Sequence, residues 1–414
     1  MGTEMCAVSD IPLDWDHTDL KKARKYVRKL QRRIALAYKN DEIDKAITLQ
    51  HKLIHSFYAK VLAVKIVTTN RGSNTPGIDN VIWLTSAEKM EAVYSLRRRG
   101  YKPKPLRRVY LPKSGGRWRP LSIPTFKDRA MQTLYKFALE PIAEVTADKG
   151  SYGFRVKHSA RDALAECVRI FSKSPYPKWI LKADIKSCFD NISHEWILDH
   201  IPMDKVILRK FLKCGYVEHD MFYPTERGIP QGGSLSSVIC NMTLDGMEDL
   251  LMRECGADVR LVRYADDFII TATSQTTLVQ SVVPVIEKFL SERGLHLSSD
   301  KTVITHIEKG FAFLGWQIYK ERRHIITVPS RRSIDSLLQK VMAVSSDPLY
   351  DSGEKMYEPL KSIVRGWMNY YQGIAIKQSL YGVEFETVSC LNNITGDNKI
   401  AEAIGALFAL YDNQ

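Results

Sequence analysis

The segment Leu261-Val262-Arg263-Tyr264-Ala265-Asp266-Asp267-Phe268-Ile269-Ile270 places two adjacent carboxylates between two apolar, β-prone runs. This pattern predicts a β-hairpin with the acids at its turn. The structural alternative is that Ala-Asp-Asp is simply a good turn sequence. Adjacent like charges beside a mostly apolar sheet, however, repel each other and resist desolvation unless a cation neutralises them. The segment therefore predicts a cation-binding hairpin.

A second acidic cluster lies upstream, where an apolar strand from Trp179 leads to Asp184. A third aspartate at a strand end would complete a hard oxygen site that suits Mg²⁺, with Mn²⁺ as a possible substitute. Two such ions, roughly 3.5–4 Å apart, can hold an attacking 3′-hydroxyl and a leaving pyrophosphate in line. We expect Asp184 and Asp266 to bridge both ions. Ile185 and Asp267 are counted as further metal contacts, with Asp267 in a supporting role.

The composition points to a polyanionic partner. The 414 residues carry 60 Lys and Arg against 47 Asp and Glu, a net charge of +13. Nucleic acid is the first candidate and an anionic membrane surface the second. No apolar run approaches the ~20 residues that span a bilayer, and residues 1–10 lack the pattern of a signal peptide. The 7 cysteines form no Cys-x-x-Cys pair, which argues against a zinc site or disulfide framework and fits a reducing cytoplasm.

Residues 18–38 predict an amphipathic helix that Thr18 or Asp19 caps. Apolar residues recur at three- and four-residue steps, at Leu20, Ala23, Val27, Leu30, Ile34 and Ala37. The remaining surface is basic and carries Lys21, Lys22, Arg24, Lys25, Arg28, Lys29, Arg32 and Arg33. A charged face is usually only solvated, but charges of one sign repel each other without an anionic partner. We therefore favour RNA contact for this face.

The rest of the chain predicts mixed helix and strand structure. We expect helices over 41–67, 86–99 and 127–143, a turn-rich segment at 70–80, and a hairpin over 107–120 with its turn at 114–116. That hairpin carries five basic residues near its tip, more than sheet stability requires. Strands and helices mix from 150 to 325, as in an α+β domain, and 331–372 is helical again.

Together these segments resemble the reverse transcriptases encoded by group II introns. Tyr264-Ala265-Asp266-Asp267 is similar to the Tyr-x-Asp-Asp box of that family. The other blocks match in order: 112–129 resembles the fingertip block, 151–164 the next block, 184–192 the first palm aspartate block, 228–236 the Pro-Gln-Gly-Gly block, 301–316 the last palm blocks, and 365–371 the thumb or maturase region. Each motif alone is modest, but their order over about residues 10–375 leaves little room for chance.

The resemblance implies a right-hand polymerase of the α+β class, with fingers and palm built on antiparallel sheet and followed by an α-helical thumb. It divides the chain into a basic helical extension (1–70), fingers and palm (71–325), a helical thumb or maturase-like region (326–380) and a short divergent tail (381–414). It implies an RNA-directed DNA polymerase that adds dNTPs to a DNA or RNA primer. The template would be a structured RNA such as a group II intron or a dedicated non-coding RNA, in the bacterial cytoplasm or nucleoid.

The resemblance also assigns roles to individual side chains. Phe189 is similar to the family's aromatic gate, whose flat ring leaves no room for a ribose 2′-hydroxyl, and Gln231 with Gly232 would lie against the incoming nucleotide. Lys301 resembles the lysine proposed to protonate the leaving pyrophosphate. The remaining candidates are Lys113, Arg117 and Arg119 for triphosphate or template, and Tyr152, Arg155, Tyr264, Phe313 and Gly315 for template and primer. The plainer alternatives are core aromatics, glycines of an ordinary loop and a surface lysine.

The sequence after Lys377 departs from the family. Full-length members continue into a basic DNA-binding segment and often a Cys/His endonuclease, whereas residues 381–414 hold one cysteine, no histidine and more acids than bases. We therefore expect no endonuclease and no self-sufficient intron mobility. The alternatives are an RNA-binding maturase, a domesticated reverse transcriptase in phage defence and, ranked last, a two-metal nuclease that uses water as its nucleophile. The sequence does not determine the oligomeric state.

Overall fold

The computed structural model describes residues 14–113, 117–173, 175–350, 352–373 and 377–409. The helices are α1 (Leu20–Lys39), α2 (Ile43–His55), α3 (Phe57–Val67), α4 (Ser86–Ser95), α5 (Phe126–Thr146), α6 (Ala160–Ser172), α7 (Cys188–Asn191), α8 (His194–His200), α9 (Lys205–Leu212), α10 (Ser236–Leu244), α11 (Met247–Cys255), α12 (Gln275–Thr277), α13 (Val283–Ser291), α14 (Arg331–Ser345), α15 (Gly353–Tyr371), α16 (Lys377–Thr395) and α17 (Asn398–Ala409). The strands are β1 (Leu106–Lys113), β2 (Arg117–Ile123), β3 (Trp179–Asp184), β4 (Tyr216–Glu218), β5 (Met221–Tyr223), β6 (Arg260–Tyr264), β7 (Asp267–Ala272), β8 (Val303–His306), β9 (Phe311–Phe313), β10 (Trp316–Glu321) and β11 (His324–Pro329). A π-helical turn (Leu278–Val282) joins α12 to α13, and a 3₁₀ turn covers Ser299–Lys301. None of the helices within the described ranges combines the length and apolar character that a membrane span requires.

The N-terminal helices largely follow the predicted amphipathic pattern. Asp19 caps α1 by accepting hydrogen bonds from the backbone N–H groups of Lys21 and Lys22 at 2.8 and 2.9 Å. The predicted apolar stripe is buried except for the half-buried Leu20. The single helix predicted over 41–67 is wrong, because Ser56 adopts an extended conformation (ψ 131°) that ends α2 while its side chain caps α3.

The next predicted helix is shorter than expected. α4 begins at a capping box in which Thr85 and Glu88 exchange hydrogen bonds, but it ends at Ser95 and not at residue 99. Leu96 leaves helical geometry and is buried. Three arginines follow it, at 97–99, and offer no apolar side chain to continue the buried face. The core contact of Leu96 therefore ends the helix.

The predicted basic hairpin is confirmed. β1 and β2 pair antiparallel from Arg107↔Ile123 to Lys113↔Arg117, and the predicted turn residues 114–116 lie outside the described part. β1 also pairs in parallel with β4, and β5 completes a sheet of order β2-β1-β4-β5. The predicted helix over 127–143 follows as α5, with Thr125 as its cap. We refer to the β1–β2 pair as the basic hairpin.

The central sheet has the order β6-β7-β3-β8 and is antiparallel throughout, which confirms the α+β prediction. Both faces are buried. Leu181, Phe268 and Ile270 contact the larger apolar cluster, whereas Ile180 and Ile269 contact a second cluster on the opposite face. Each fully buried side chain of this kind contributes about 1.5–3 kcal/mol. Because apolar clusters cover both faces of the sheet, the ends of its strands and the side chains at those ends are held in fixed positions.

A smaller sheet, β9-β10-β11, lies beside the second cluster. Its β9–β10 turn has positive φ at Leu314 (49°) and at Gly315 (81°). Tyr371 of α15 lies against Trp316 of β10, with ring centroids 4.6 Å apart. The C-terminal helices are thereby attached to the sheets at this turn.

The C-terminal helices α14–α17 form one helical unit. α16 runs across the boundary expected at 380, and β11 runs across the boundary expected at 325. One apolar cluster joins α14–α17 through Leu337, Val341, Leu360, Val364, Met368, Val383, Leu391, Ile400, Ile404, Leu407 and Phe408. The acidic composition of 381–414 does not indicate this packing, because charge describes the exposed face of a helix whereas the apolar face decides where it packs.

Candidate active site

Three aspartates converge at one end of the central sheet. The register of β3 and β7 places Asp184 directly opposite Asp267, so their side chains share one face of the sheet. Asp266 lies in the two-residue turn between β6 and β7, next to the pair formed by Tyr264 and Asp267. The predicted hairpin with acids at its turn is confirmed, and strand pairing brings Asp184 to it.

The turn has an unfavourable backbone conformation that its surroundings maintain. Ala265 has a φ of 58°, a left-handed conformation that costs about 1–2 kcal/mol for a residue with a Cβ atom. Ala265 is buried against the backbone of Gly153, where an added Cβ atom would lie 2.4 Å from the Ala265 nitrogen. Such a conformation persists only when the neighbouring structure enforces it.

The carboxylates carry negative charge that the protein only partly compensates. Burial raises the pKa of Asp266 and raises the pKa of Asp267 to about 6, and the proximity of Asp184 adds to both shifts. Lys301, on the 3₁₀ turn, forms an ion pair with Asp184. The positive charge of Lys182 on β3 offsets part of the rise in the pKa of Asp267. The end of the sheet therefore favours an additional positive charge.

The donor set fits a hard divalent cation. Within the described ranges, no group of three or more His, Cys, Asp or Glu side chains is already arranged around one point as a metal site. Asp184, Asp266 and Asp267 nevertheless supply only oxygen donors, at a point where burial disfavours their negative charge. Oxygen donors with excess negative charge are what Mg²⁺ prefers. Their use by a metal requires Lys301 to release Asp184.

The backbone at Ile185 is held beside the aspartates. The Lys186 N–H donates to His296 O at 2.9 Å, and the Ser298 N–H donates to Asp184 O at 2.8 Å. Ile185 lies between these two hydrogen bonds, opposite Leu297. At such a non-hydrogen-bonded position of an antiparallel pair, the residue's N–H and C=O do not bond to the facing strand. This geometry leaves the Ile185 carbonyl available, as its predicted metal contact requires.

The Pro-Gln-Gly-Gly loop lies against α7. The Ile229 N–H donates to Phe189 O at 2.6 Å, and an added Cβ at Gly228 would lie 2.6 Å from Asp190 O. Gln231 Nε2 donates to the Asp190 carboxylate at 3.2 Å. The predicted nucleotide contacts Phe189 and Gln231 are therefore brought to one location by backbone packing.

The same loop contacts the basic hairpin. The Ser122 N–H donates to Gln231 O at 2.8 Å. Gly232 has a φ of 118°, and an added Cβ would lie 2.9 Å from Ser122 O, so both conformation and close approach require glycine there. A cavity of about 430 Å³ lies between the loop, β1 and α7, with Phe189, Asp190 and Gln231 in its wall.

Arg119 is the residue of the basic hairpin with structural support for lying near the aspartates. Its positive charge lowers the pKa of Asp266 and so opposes the effect of burial, while its own side chain is exposed. Lys113 and Arg117 pair with each other across the hairpin, but their side chains lie outside the described part. Of the three predicted triphosphate contacts, Arg119 is the one whose charge is seen to act on Asp266.

Arg155 does not face outwards as its predicted template contact requires. Its Nη1 donates to Ser151 O at 2.7 Å and to Asp148 O at 3.0 Å, and its Nη2 donates to the Glu144 carboxylate at 3.1 Å. The side chain is 12% exposed. These contacts argue against a template contact and indicate that Arg155 holds its own loop. A basic residue among aromatics gives the same sequence pattern whether it faces in or out.

The other predicted template and primer residues differ in exposure. Phe313 is buried in the second cluster, as its core alternative requires. Tyr152 and Tyr264 are half-buried at the same cluster, and burial raises the pKa of Tyr152 to about 12. Phe154 is 53% exposed. Phe154, which the sequence offers beside Tyr152 as a second aromatic face for a template strand, is thus the more exposed of the two rings.

The turn at Gly315 is held by the C-terminal helices. Tyr371 Oη lies 2.7 Å from Gly315 O and 2.6 Å from Ser333 Oγ. The Tyr370 hydroxyl donates to Leu314 O at 2.7 Å. The predicted primer contact at Gly315 therefore lies where the helical unit meets the sheets.

A buried polar group that the sequence pattern did not predict lies beneath the acidic turn. The Arg263 side chain is 0% exposed and forms an ion pair with Asp245. Its Nη1 also donates to Asn241 Oδ1 at 3.3 Å. The only signal in the sequence was an arginine inside an otherwise apolar strand, directly before Tyr264.

Comparison with known proteins agrees with this geometry. Residues 111–318 match the family described as reverse transcriptase (RNA-dependent DNA polymerase), and residues 15–96 match the N-terminal domain of reverse transcriptase. Protein YkfC of Escherichia coli is 28% identical over 67% of this chain and 88% of its own length.

Two further relatives have informative descriptions. The group II intron-encoded protein LtrA of Lactococcus lactis is 28% identical to this chain over 68% of its residues. The matched region spans 58% of the length of LtrA. Maturase-like protein 1 of Euglena gracilis is 24% identical over 92% of this chain and 82% of its own length. The first family match covers half of the chain, and the aspartates lie within it. The chain therefore belongs to the reverse transcriptase (RNA-dependent DNA polymerase) family.

Proposed function

We propose that this chain adds dNTPs to the 3′-hydroxyl of a primer on an RNA template by two-metal-ion nucleotidyl transfer. The observation that carries the proposal is the β3–β7 register, which joins Asp184 to the Asp266–Asp267 turn at the end of a sheet buried on both faces. Asp184 and Asp266 would hold the ions, with the Ile185 carbonyl and Asp267 as further ligands. When bound, Mg²⁺ neutralises the charge that develops on the attacking and leaving oxygens.

The nucleotide is held from the side of the basic hairpin. The Arg119 guanidinium binds the triphosphate, for which its paired donors are suited. Phe189 places its ring under the sugar and excludes a 2′-oxygen, and Asp190 orients the carboxamide of Gln231 through their hydrogen bond. Lys301 already lies at Asp184, and in the proposed cycle it donates a proton to the leaving pyrophosphate.

The primer strand passes between the β9–β10 turn and the helical unit. A cavity of about 600 Å³ opens there, with Gly315, Lys340, Gly366, Trp367 and Tyr370 in its wall. Lysine, aromatic rings and a glycine that permits close approach suit a sugar–phosphate backbone. We infer that α14–α17 act as the thumb, and this supports a helical region that extends beyond residue 380.

The RNA partner is held in part by α1. The predicted basic face of α1 is exposed along its whole length, and α1 contains no acidic residue. Because LtrA is a group II intron-encoded protein, group II intron RNA is the first candidate for the partner, with a dedicated non-coding RNA as the alternative.

A maturase is the second candidate function. The basic face of α1 favours it, because RNA binding by that face does not require the aspartates. The similarity to Maturase-like protein 1 also supports it. The two functions are compatible in one chain, and they differ in whether the carboxylates are essential.

The deciding experiment is primer extension with purified protein, Mg²⁺ and dNTPs on an oligo(dT)-primed poly(rA) template. The Asp266→Ala/Asp267→Ala variant serves as the comparison, and RNA binding is measured for both proteins by filter retention. We expect synthesis by the wild type, loss of at least a thousandfold in the variant, and equal RNA binding. Tight RNA binding by both proteins without synthesis by either would contradict the polymerase and favour the maturase.

A further inference from the structure

Arg263 links three parts of the chain at the point where β6 enters the catalytic turn. Its backbone N–H donates to Gly150 O at 2.7 Å, and its carbonyl accepts from the Tyr152 N–H at 2.8 Å. The 150–152 segment therefore lies alongside β6 as a short parallel partner, bridged at Ser151. The backbone before the catalytic turn is thus fixed on the side away from β7.

The Arg263 side chain reaches both α10 and the turn. Nη1 donates to Asn241 Oδ1 at 3.3 Å and to the Ala265 carbonyl at 3.4 Å, while Nη2 pairs with Asp245. Asn241 Nδ2 in turn donates to Gly153 O at 2.6 Å. Gly153 is the residue that lies against the Ala265 nitrogen. The network therefore contacts the turn from two directions, through its carbonyl and through its amide.

This network is poorly suited to stabilising the fold. Among the described residues, neither Arg263 Nε nor Asp245 Oδ2 has a hydrogen-bond partner, and both atoms are buried. A buried ion pair with unpaired polar atoms stabilises a protein little, and apolar residues of similar size often replace it without loss. What the guanidinium supplies, and an apolar residue does not, is a fixed set of directions for several contacts at once.

We propose that Arg263 and Asn241 are positioning residues that hold Ala265 in its left-handed conformation, so that the Asp266 carboxylate faces Asp184 for metal binding. Neither residue touches the substrate. Arg155 holds the neighbouring 148–151 segment in place by donating to Ser151 O and Asp148 O. This inference rests on the proposed polymerase activity.

The test compares Arg263→Lys and Asn241→Ala with the matched control Arg293→Lys. Lysine keeps the charge opposite Asp245 but cannot make the forked contacts to Asn241 and Ala265. Asn241→Ala keeps both charges and removes the contact to Gly153. Arg293 also donates to α10, at Thr243 O (2.8 Å), and to Phe289 O (2.7 Å), without contacting the turn.

Four quantities are measured for each protein: Tm, kcat, KM for dTTP, and the Mg²⁺ concentration for half-maximal activity. For Arg263→Lys and Asn241→Ala we expect kcat to fall about tenfold or more, a rise of several-fold in the Mg²⁺ midpoint, and KM for dTTP within about twofold of wild type. Arg293→Lys should lower Tm about as much as the other two substitutions do, while leaving kcat and the Mg²⁺ midpoint unchanged.

The outcomes separate this inference from the proposed activity. An inactive wild type would remove the polymerase proposal itself. An active wild type with wild-type kcat and Mg²⁺ midpoint in both variants would overturn the positioning role. If Arg263→Lys fails to fold, the Asn241→Ala variant decides alone, because it keeps the buried ion pair between Arg263 and Asp245. An equal loss of kcat in Arg293→Lys would also overturn the proposal, since the effect would then follow general destabilisation.

Discussion

Two hairpins carry the charged residues of the candidate site, and their surroundings differ. The β6–β7 hairpin lies inside the central sheet with apolar clusters on both faces, and its acidic turn is buried against Gly153. The basic hairpin is exposed towards its tip, where Leu111 is 48% and Trp118 is 63% exposed. It is held mainly along its base, by β4 and by the hydrogen bond from Ser122 to Gln231.

The difference follows from what each charge has to do. Carboxylates that hold two metal ions in line must be placed within a few tenths of an ångström, since coordination distances are narrow. A guanidinium that attracts a triphosphate acts over a longer range and tolerates movement. The enclosure of the acidic turn and the exposure of the basic hairpin near its tip agree with these different requirements.

The largest expected effect comes from the support of the acidic turn. Gly153→Ala would place a Cβ atom 2.4 Å from the Ala265 nitrogen and 2.8 Å from the Tyr264 carbonyl carbon, so the turn must shift. We expect kcat to fall roughly a hundredfold, as displacement of a reacting group by about 1 Å does. Steady-state primer extension measures it. Gly382→Ala, where an added Cβ meets open space on α16, is the control and should keep full activity. Wild-type kcat in Gly153→Ala would show that the turn tolerates displacement.

The basic hairpin should respond through substrate affinity. Arg119→Ala removes an exposed guanidinium near Asp266, and the loss of one charge-assisted contact should raise KM for dNTP about tenfold with a smaller change in kcat. Arg99→Ala, an exposed arginine in the α4–β1 connection, is the control. A fall in kcat at constant KM would instead indicate that Arg119 acts on the transition state.

The basic face of α1 should affect RNA binding and leave chemistry unchanged. Replacing Lys25, Arg28, Lys29 and Arg32 by Ala preserves helix propensity and removes exposed charge. RNA affinity should fall several-fold at low salt, and the slope of log K against log salt should decrease by about 0.7 per lost phosphate contact. Titration with labelled RNA at several salt concentrations measures both. Lys178→Ala/Lys309→Ala is the control, since these exposed lysines lie at the opposite end of the central sheet from Asp184. An unchanged slope would remove α1 from the RNA interface.

The smallest effect concerns the excess negative charge of the acidic turn. Burial raises the pKa of Asp267 from 3.8 to about 6. Between these values the native state binds more protons than the unfolded state, so stability without Mg²⁺ falls as pH rises from about 4 to 6 and the loss is complete above that range. Asp267→Asn should therefore raise Tm by a few degrees at pH 7.5 and by much less at pH 4.

Differential scanning calorimetry in chelator measures this effect. The control is Asp199→Asn, which removes an exposed carboxylate. An equal rise in Tm at both pH values would contradict the burial of charge. Added Mg²⁺ should stabilise the wild type more than Asp267→Asn, because the ion compensates the same carboxylate.

Much of this site could be predicted from the sequence because its signals are local. The acids at a hairpin turn, the basic hairpin over 107–120 and the helix over 18–38 each follow from patterns within a few residues. Phe189 and Gln231 entered through the order of blocks, and the structure places both in the wall of one cavity. The sequence could not place Arg155 and Phe313, because their residue types suit either a nucleic-acid surface or the protein interior.

The sequence by itself determined the chemistry available to this protein: three aspartates at strand ends, an excess of basic residues, and the order of blocks that indicates its family. Only the tertiary structure decided that Asp184 lies opposite Asp267, that Arg263 and Arg155 face inwards, and that α16 and α17 join the helical unit. The physical reason is that propensity and polarity act between near neighbours in the chain. Strand register and the direction of a side chain depend on contacts between residues far apart in sequence.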